Sequence, residues 1–127
     1  MSLCLIVDDD KNSRLLTSEV AKLLGLSVCE FENGLEALEF CKKNMPDIII
    51  LDWMMPQMSG ITFLSEVQKI QSAIKPKIVM CSAKFGNNYV REGLEAGADE
   101  YLMKPARPRD LESIFYSIQK RDSSTAH

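Results

Sequence analysis

Five positions in this chain carry side chains that could do chemistry together, and each follows an apolar run. Asp8 and Asp9 follow Leu3 to Val7, Asp52 follows Ile48 to Leu51, Ser82 follows Ile78 to Cys81, and Lys104 follows the short stretch Glu100 to Met103. If those runs are parallel strands of one sheet, with the first and third as neighbours, their C-terminal ends share an edge and the five groups converge there. Carboxylates about 4 Å apart repel by roughly 4 kcal/mol per pair at an effective dielectric of about 20. Something cationic must therefore sit among them. A donor set of oxygens, without histidine or thiolate spacing, calls for a hard ion, and Mg²⁺ suits a site with one or two carboxylates, retained waters and a phosphoryl oxygen. The alternating-acid calcium loop with its distant Glu is absent. Lys104 would add a point charge and Ser82 a hydroxyl, both directed at an anion beside the ion. The chemistry such a set could do is phosphoryl transfer onto an aspartate, giving an aspartyl phosphate.

The elements that must position these groups alternate regularly. Leu3 to Val7 reads as a buried strand closed by Asp8-Asp9-Asp10. From Lys11 a helix places Leu16, Val20, Leu23 and Leu24 on one face and stops at Gly25. Val28, Cys29 and Phe31 suggest a second strand. Asn33 and Glu36 have capping-box spacing for a helix that runs to about Asn44, ended by Pro46. Ile48-Ile49-Ile50-Leu51 lacks polar alternation, so it should be covered on both faces, as in a parallel sheet. Phe63, Val67, Ile70 and Ile74 trace a third helix, and Ile78 to Cys81 a fourth strand. A fourth helix is expected between a cap at Asn88 and a stop at Gly97. It should be the weakest, since Val90 and Leu94 are its only large apolar residues and Gly93 interrupts it. Glu100 to Met103 is a short fifth strand, and Pro108 begins a helix with Leu111, Ile114, Phe115 and Ile118 facing inward. Five strand-helix units predict an α/β domain built on a doubly wound parallel sheet.

At 127 residues, 46% apolar and 26% charged, the chain has the size and composition of one globular domain. Its 15 basic and 18 acidic side chains give a net charge of -3 with no basic run, which argues against direct nucleic-acid binding. No apolar run reaches the roughly 20 residues of a membrane span, and no basic leader precedes the first strand, so a cytoplasmic protein is expected. Cys4, Cys29, Cys41 and Cys81 form no C-x-x-C and sit in apolar surroundings, as small core residues do. His127 ends a polar tail and cannot anchor a histidine site.

Val7-Asp8-Asp9, Asp52-Trp-Met-Met-Pro-Gln-Met-Ser-Gly60, Ser82-Ala83, Gly97-Ala-Asp and Tyr101-Leu-Met-Lys104-Pro105 occur in this order. Together they resemble the receiver domain of two-component response regulators, the family of the single-domain chemotaxis regulator, over about residues 3 to 120. The resemblance implies a flavodoxin-like fold of five strands in the order 2-1-3-4-5, with residues 1 to 120 as the receiver and 121 to 127 as a polar tail. It implies that Asp52 accepts a phosphoryl group from a histidine kinase or histidine phosphotransfer protein. Asp9 would ligate Mg²⁺ directly, Asp8 through water, and Asp52 and the Met54 carbonyl would complete the protein ligands. Lys104 would bond the phosphate, with its peptide bond to Pro105 cis. Ser82 and Tyr101 would act as the switch, changing the face made by the fourth helix, fifth strand and fifth helix for a downstream target protein, or for an output domain missing from this chain. The protein would be a phosphoacceptor switch that takes part in its own phosphorylation and dephosphorylation, with no membrane partner.

Several positions carry plainer readings or depart from the family pattern. Asp10 is expected to cap a helix, and Trp53 to be a partly exposed neighbour of the site. Met54, Met55 and Met58 are expected to pack around one loop. Met54 and Lys84 lie where the family tunes autodephosphorylation, and Ala106 replaces the usual bulky residue after Lys-Pro. A Mg²⁺-dependent phosphohydrolase would use similar groups, but D-x-D-x-T after the first strand is absent. A flavin-binding protein would share the fold class, yet the acids would repel its phosphate. A scaffold that has lost phosphorylation would not need all five positions filled by competent residues.

Overall fold

The Ile48-Ile49-Ile50-Leu51 run forms a strand buried along its whole length, with neighbours on both sides. A computed structural model of the chain describes residues 2–84 and 86–125, with side chains through residue 119. The elements, in chain order, are β1 (Leu3–Val7), α1 (Lys11–Leu23), β2 (Ser27–Phe31), α2 (Gly34–Lys43), β3 (Ile48–Leu51), α3 (Gly60–Gln68), β4 (Lys77–Ser82), α4 (Asn87–Glu95), β5 (Glu100–Met103) and α5 (Pro108–Thr125). The strands lie in the order β2-β1-β3-β4-β5, and every pair is parallel. This is the doubly wound parallel sheet expected from the alternation of elements, in the flavodoxin-like strand order that the resemblance implies.

Side chains alternate across the sheet and feed two cores. Leu5, Val7, Ile49, Leu51 and Met80 pack with Ala37, Leu38 and Cys41 of α2 and Phe63, Leu64 and Val67 of α3. Cys4, Ile6, Ile48, Ile50, Val79 and Cys81 pack with Val20 and Ala21 of α1 and Leu111, Phe115 and Ile118 of α5. All four cysteines are free thiols. Burial pushes those of Cys4 and Cys81 up to about 12 and that of Cys41 to about 11, which fits packing residues without thiolate reactivity. Among the described residues no helix is long and apolar enough to cross a membrane.

Three helices start on the side-chain caps that satisfy their first N–H groups. Asp10 accepts from Asn12 N–H, Asn33 from Glu36 N–H and Ser59 from Thr62 N–H. Gly25 and Gly97 follow their helices with positive φ. Other expectations need correction. Leu23 is 82% exposed and lies off the buried face of α1. The third helix ends at Gln68, so Ile70 and Ile74 lie beyond it. Ile70 still packs on the core, whereas Ile74 is exposed. Asn88 lies inside α4, whose N-cap is Gly86 with no side-chain bond. α5 continues past Lys120 to Thr125, so part of the expected tail is helical, and residues 126 and 127 lie outside the described ones.

Candidate functional site

The parallel register brings the ends of β1, β3, β4 and β5 to one edge of the sheet. The backbone extends the ladder slightly past the strands: Asp52 N–H donates to Val7 carbonyl at 3.0 Å, and Lys104 N–H to Ser82 carbonyl at 2.8 Å. One carboxylate oxygen from each of Asp8, Asp9 and Asp52 lies within 4.8 Å of the other two, with Asp8 and Asp52 buried and Asp9 exposed. At that spacing each charged pair repels by about 3 to 4 kcal/mol at an effective dielectric of about 20. Lys104 reaches across from the end of β5, placing Nζ 2.7 Å from Asp8 Oδ2 and 3.4 Å from Asp52 Oδ2.

One ammonium does not balance three carboxylates, and the protonation of Asp52 reflects this. Burial, aided by the Asp8 charge, pushes its carboxyl up to about 6, against the pull of the Lys104 ammonium and the Met54 N–H. Burial works against the charge on Lys104, but its hydrogen bond to Asp8 and the charges of Asp8 and Asp52 outweigh that and raise its affinity for the proton. Asp8 is held at both oxygens, Oδ1 by Asp10 N–H at 2.9 Å and Oδ2 by Lys104. An all-oxygen cluster with excess negative charge at a sheet edge has the donor chemistry of a hard divalent ion, so the residues present fit Mg²⁺.

The surrounding chain holds this set closely. A β-carbon on Gly60 would collide with the Asp52 carbonyl oxygen and lie 2.9 Å from Trp53 Cα, so only glycine lets α3 begin against the backbone of the phosphoacceptor candidate. Ser82 is fully buried, and its Oγ accepts from Lys84 N–H at 3.1 Å. Tyr101 is half-buried and donates its hydroxyl to the Lys84 carbonyl at 2.7 Å. Trp53 is buried, not partly exposed as expected. Its ring meets Tyr89 edge-on at 5.5 Å between centroids and Tyr101 at 6.3 Å. The Lys84 ammonium lies 5.2 Å above the Tyr89 ring. Met55 and Met58 pack on the core, but Met54 is exposed at 58%, contrary to the packing role expected for it. The Lys104-Pro105 bond is cis, and Asp10 caps α1, both as expected.

A family model described as the response regulator receiver domain matches residues 4–116 of this chain. The chain belongs to that family. Among relatives of this receiver domain, the chemotaxis protein CheY of Bacillus subtilis is 38% identical over 112 residues, covering 87% of the chain and 92% of CheY. The phosphate regulon transcriptional regulatory protein PhoB of Pseudomonas aeruginosa is 33% identical over 117 residues, 92% of the chain but 51% of PhoB. The chain thus spans nearly all of one relative and about half of the other. The receiver domain of the Francisella response regulator 1452 superposes with a TM-score of 0.86 at 30% identity, over 96% of this chain and 99% of that one.

The receiver fold brings Asp8, Asp9, Asp52 and Lys104 directly together, with Met54 N–H on the Asp52 carboxylate. Ser82, the last residue of β4, and Tyr101 of β5 form a second group, joined through the backbone of Lys84 on the β4–α4 loop. Sequence reasoning missed Arg14, whose guanidinium bonds the Asp8 carbonyl. No sequence signal marked it, because its partners, the Asp8 carbonyl and Glu30 of β2, meet only in the fold.

Proposed function

We propose that this receiver domain accepts a phosphoryl group on Asp52 from a phosphohistidine of a partner kinase or phosphotransfer protein, and thereby switches a target. The observation that carries this reading is the meeting of three carboxylates within 4.8 Å, bridged by a lysine ammonium at 2.7 and 3.4 Å. An Asp52 carboxylate oxygen forms the new bond to phosphorus, the phosphorus–nitrogen bond to histidine breaks, and the imidazole leaves with the electron pair. Asp9, Asp52 and the Met54 carbonyl would hold Mg²⁺, with Asp8 acting through water, since both of its oxygens already accept hydrogen bonds. When bound, the ion offsets the repulsion between the carboxylates and the incoming phosphate. Lys104 shifts its ammonium from the acids to a phosphoryl oxygen, and Ser82 offers its hydroxyl to another.

Tyr101 and the loop carrying Lys84 link that event to α4. When Ser82 turns toward the phosphoryl group, its hold on Lys84 N–H is given up, and the carbonyl that anchors the Tyr101 hydroxyl moves with the loop. The responding face is α4–β5–α5, presented to a target protein or to an output domain of a longer regulator, in the cytoplasm. Residues 1–120 act as the receiver unit. The test is incubation with Mg²⁺ and acetyl phosphate, read by intact mass and Trp53 emission. Wild type should gain one phosphoryl group and Asp52→Asn none. No gain by the wild type, or an equal gain by the variant, refutes the reading.

A further inference from the structure

The turn that carries Asp8 and Asp9 is tied down from outside. Asp8 N–H donates to the Phe31 carbonyl at 3.0 Å, and the Asp8 carbonyl accepts from Arg14 Nη1 at 2.7 Å. The same guanidinium places Nε 3.4 Å from Glu30 Oε1 on β2. Only 16% of the Arg14 side chain and 29% of that of Glu30 are exposed. One planar fork therefore joins α1, the edge strand β2 and the backbone of the acidic turn. A lysine at this position would keep the charge but could not hold two acceptors in fixed directions.

We propose that Arg14, oriented by Glu30, is a positioning residue that fixes the Asp8–Asp9 turn and so sets its affinity for Mg²⁺. This rests on reading the acidic cluster as a magnesium site. Two effects of Arg14 oppose each other. As a cation near the site it should weaken binding of another cation, whereas by ordering the turn before the ion arrives it should strengthen it. Glu30 neutralises the guanidinium, leaving ordering as the dominant effect. Partners outside the ligand shell commonly change metal affinity by roughly 10- to 100-fold.

The opposed signs make the test decisive. Magnesium chloride is titrated into the full chain and into Arg14→Met, Arg14→Lys, Glu30→Gln and the Arg14→Met/Glu30→Gln double variant, followed by Trp53 emission and calorimetry. Arg14→Met should raise the Kd about tenfold, and Arg14→Lys should also raise it despite keeping the charge. Glu30→Gln should weaken binding less, and the double variant should bind no more weakly than Arg14→Met. Tighter or unchanged binding by Arg14→Met overturns the proposal while leaving the magnesium site intact. Absence of Mg²⁺ binding by the wild type removes the site reading itself. Urea unfolding of the same samples shows that each is folded, and if Arg14→Met does not fold, Arg14→Lys decides.

Discussion

The charge imbalance at the sheet edge predicts that Asp52→Asn makes the ion-free protein more stable. The ordinary aspartate value is 3.8, and in this site the Asp52 carboxyl is held at about 6. Each factor of ten in proton affinity corresponds to about 1.4 kcal/mol, so the ionised carboxylate destabilises the fold by about 3 kcal/mol once it is fully charged. That figure already credits Lys104 and the Met54 N–H, which favour the charge. Because the folded value is raised, the wild type loses this stability as the pH climbs from about 4 through about 6, after which the loss is complete. The neutral amide has no such dependence. Urea unfolding without divalent ions should show the variant ahead by about 3 kcal/mol at pH 8 and by about half of that at pH 5. Saturating Mg²⁺ should raise the wild type more than the variant and narrow the gap. An Asp52→Asn protein less stable than the wild type at pH 8, or a gap that does not change with pH, would refute the argument.

Two further outcomes follow from the same site. Lys104→Met strands the buried carboxylates of Asp8 and Asp52 without their cation and should cost about 3 to 5 kcal/mol in urea unfolding at neutral pH. Adding Asp8→Asn should recover part of that loss, and a Lys104→Met protein as stable as the wild type would contradict the pairing. Gly60→Ala drives a methyl group into the Asp52 carbonyl and should cost about 1 to 3 kcal/mol and shift Trp53 emission. Thermal unfolding at the wild-type temperature would show that the start of α3 can move aside.

The architecture and the acidic cluster were legible because both follow from strand ends. An unbroken Ile-Ile-Ile-Leu run has to be covered on both faces, and parallel strands then deliver Asp8, Asp52, Ser82 and Lys104 to one edge, while the neighbouring of the first and third strands came from the family resemblance. What failed was information that periodicity does not contain. The helical phase of Leu23, Ile70 and Ile74 says nothing about how far the facing layer extends, and Leu23 points past it. Asn88 is a good cap by type, but the backbone turned into α4 two residues earlier, at Gly86. Trp53 follows a charged residue and looks surface-bound until Tyr89 and Tyr101 close over it from elements distant in sequence. Arg14 was invisible because its partners, a backbone carbonyl and an acid on β2, are assembled only by the fold.

α4 is lightly anchored. Among its residues only Gly93 is buried, its start has no side-chain cap, and ring contacts from Trp53 and Tyr101 hold its inner side. A methyl group at Gly93 would stand 3.1 Å from the Tyr101 ring, so the helix rests directly on that tyrosine. The five-stranded platform beneath is secured by a layer of apolar packing on each face, whereas this one helix hangs by its edge. Its amide hydrogens should accordingly be among the first to exchange with deuterium, as the local opening of a weakly held segment rather than of the whole chain. A disturbance worth only a kilocalorie or two, such as the gain or loss of one charge-assisted bond, is then enough to redistribute the helix while the platform keeps its shape.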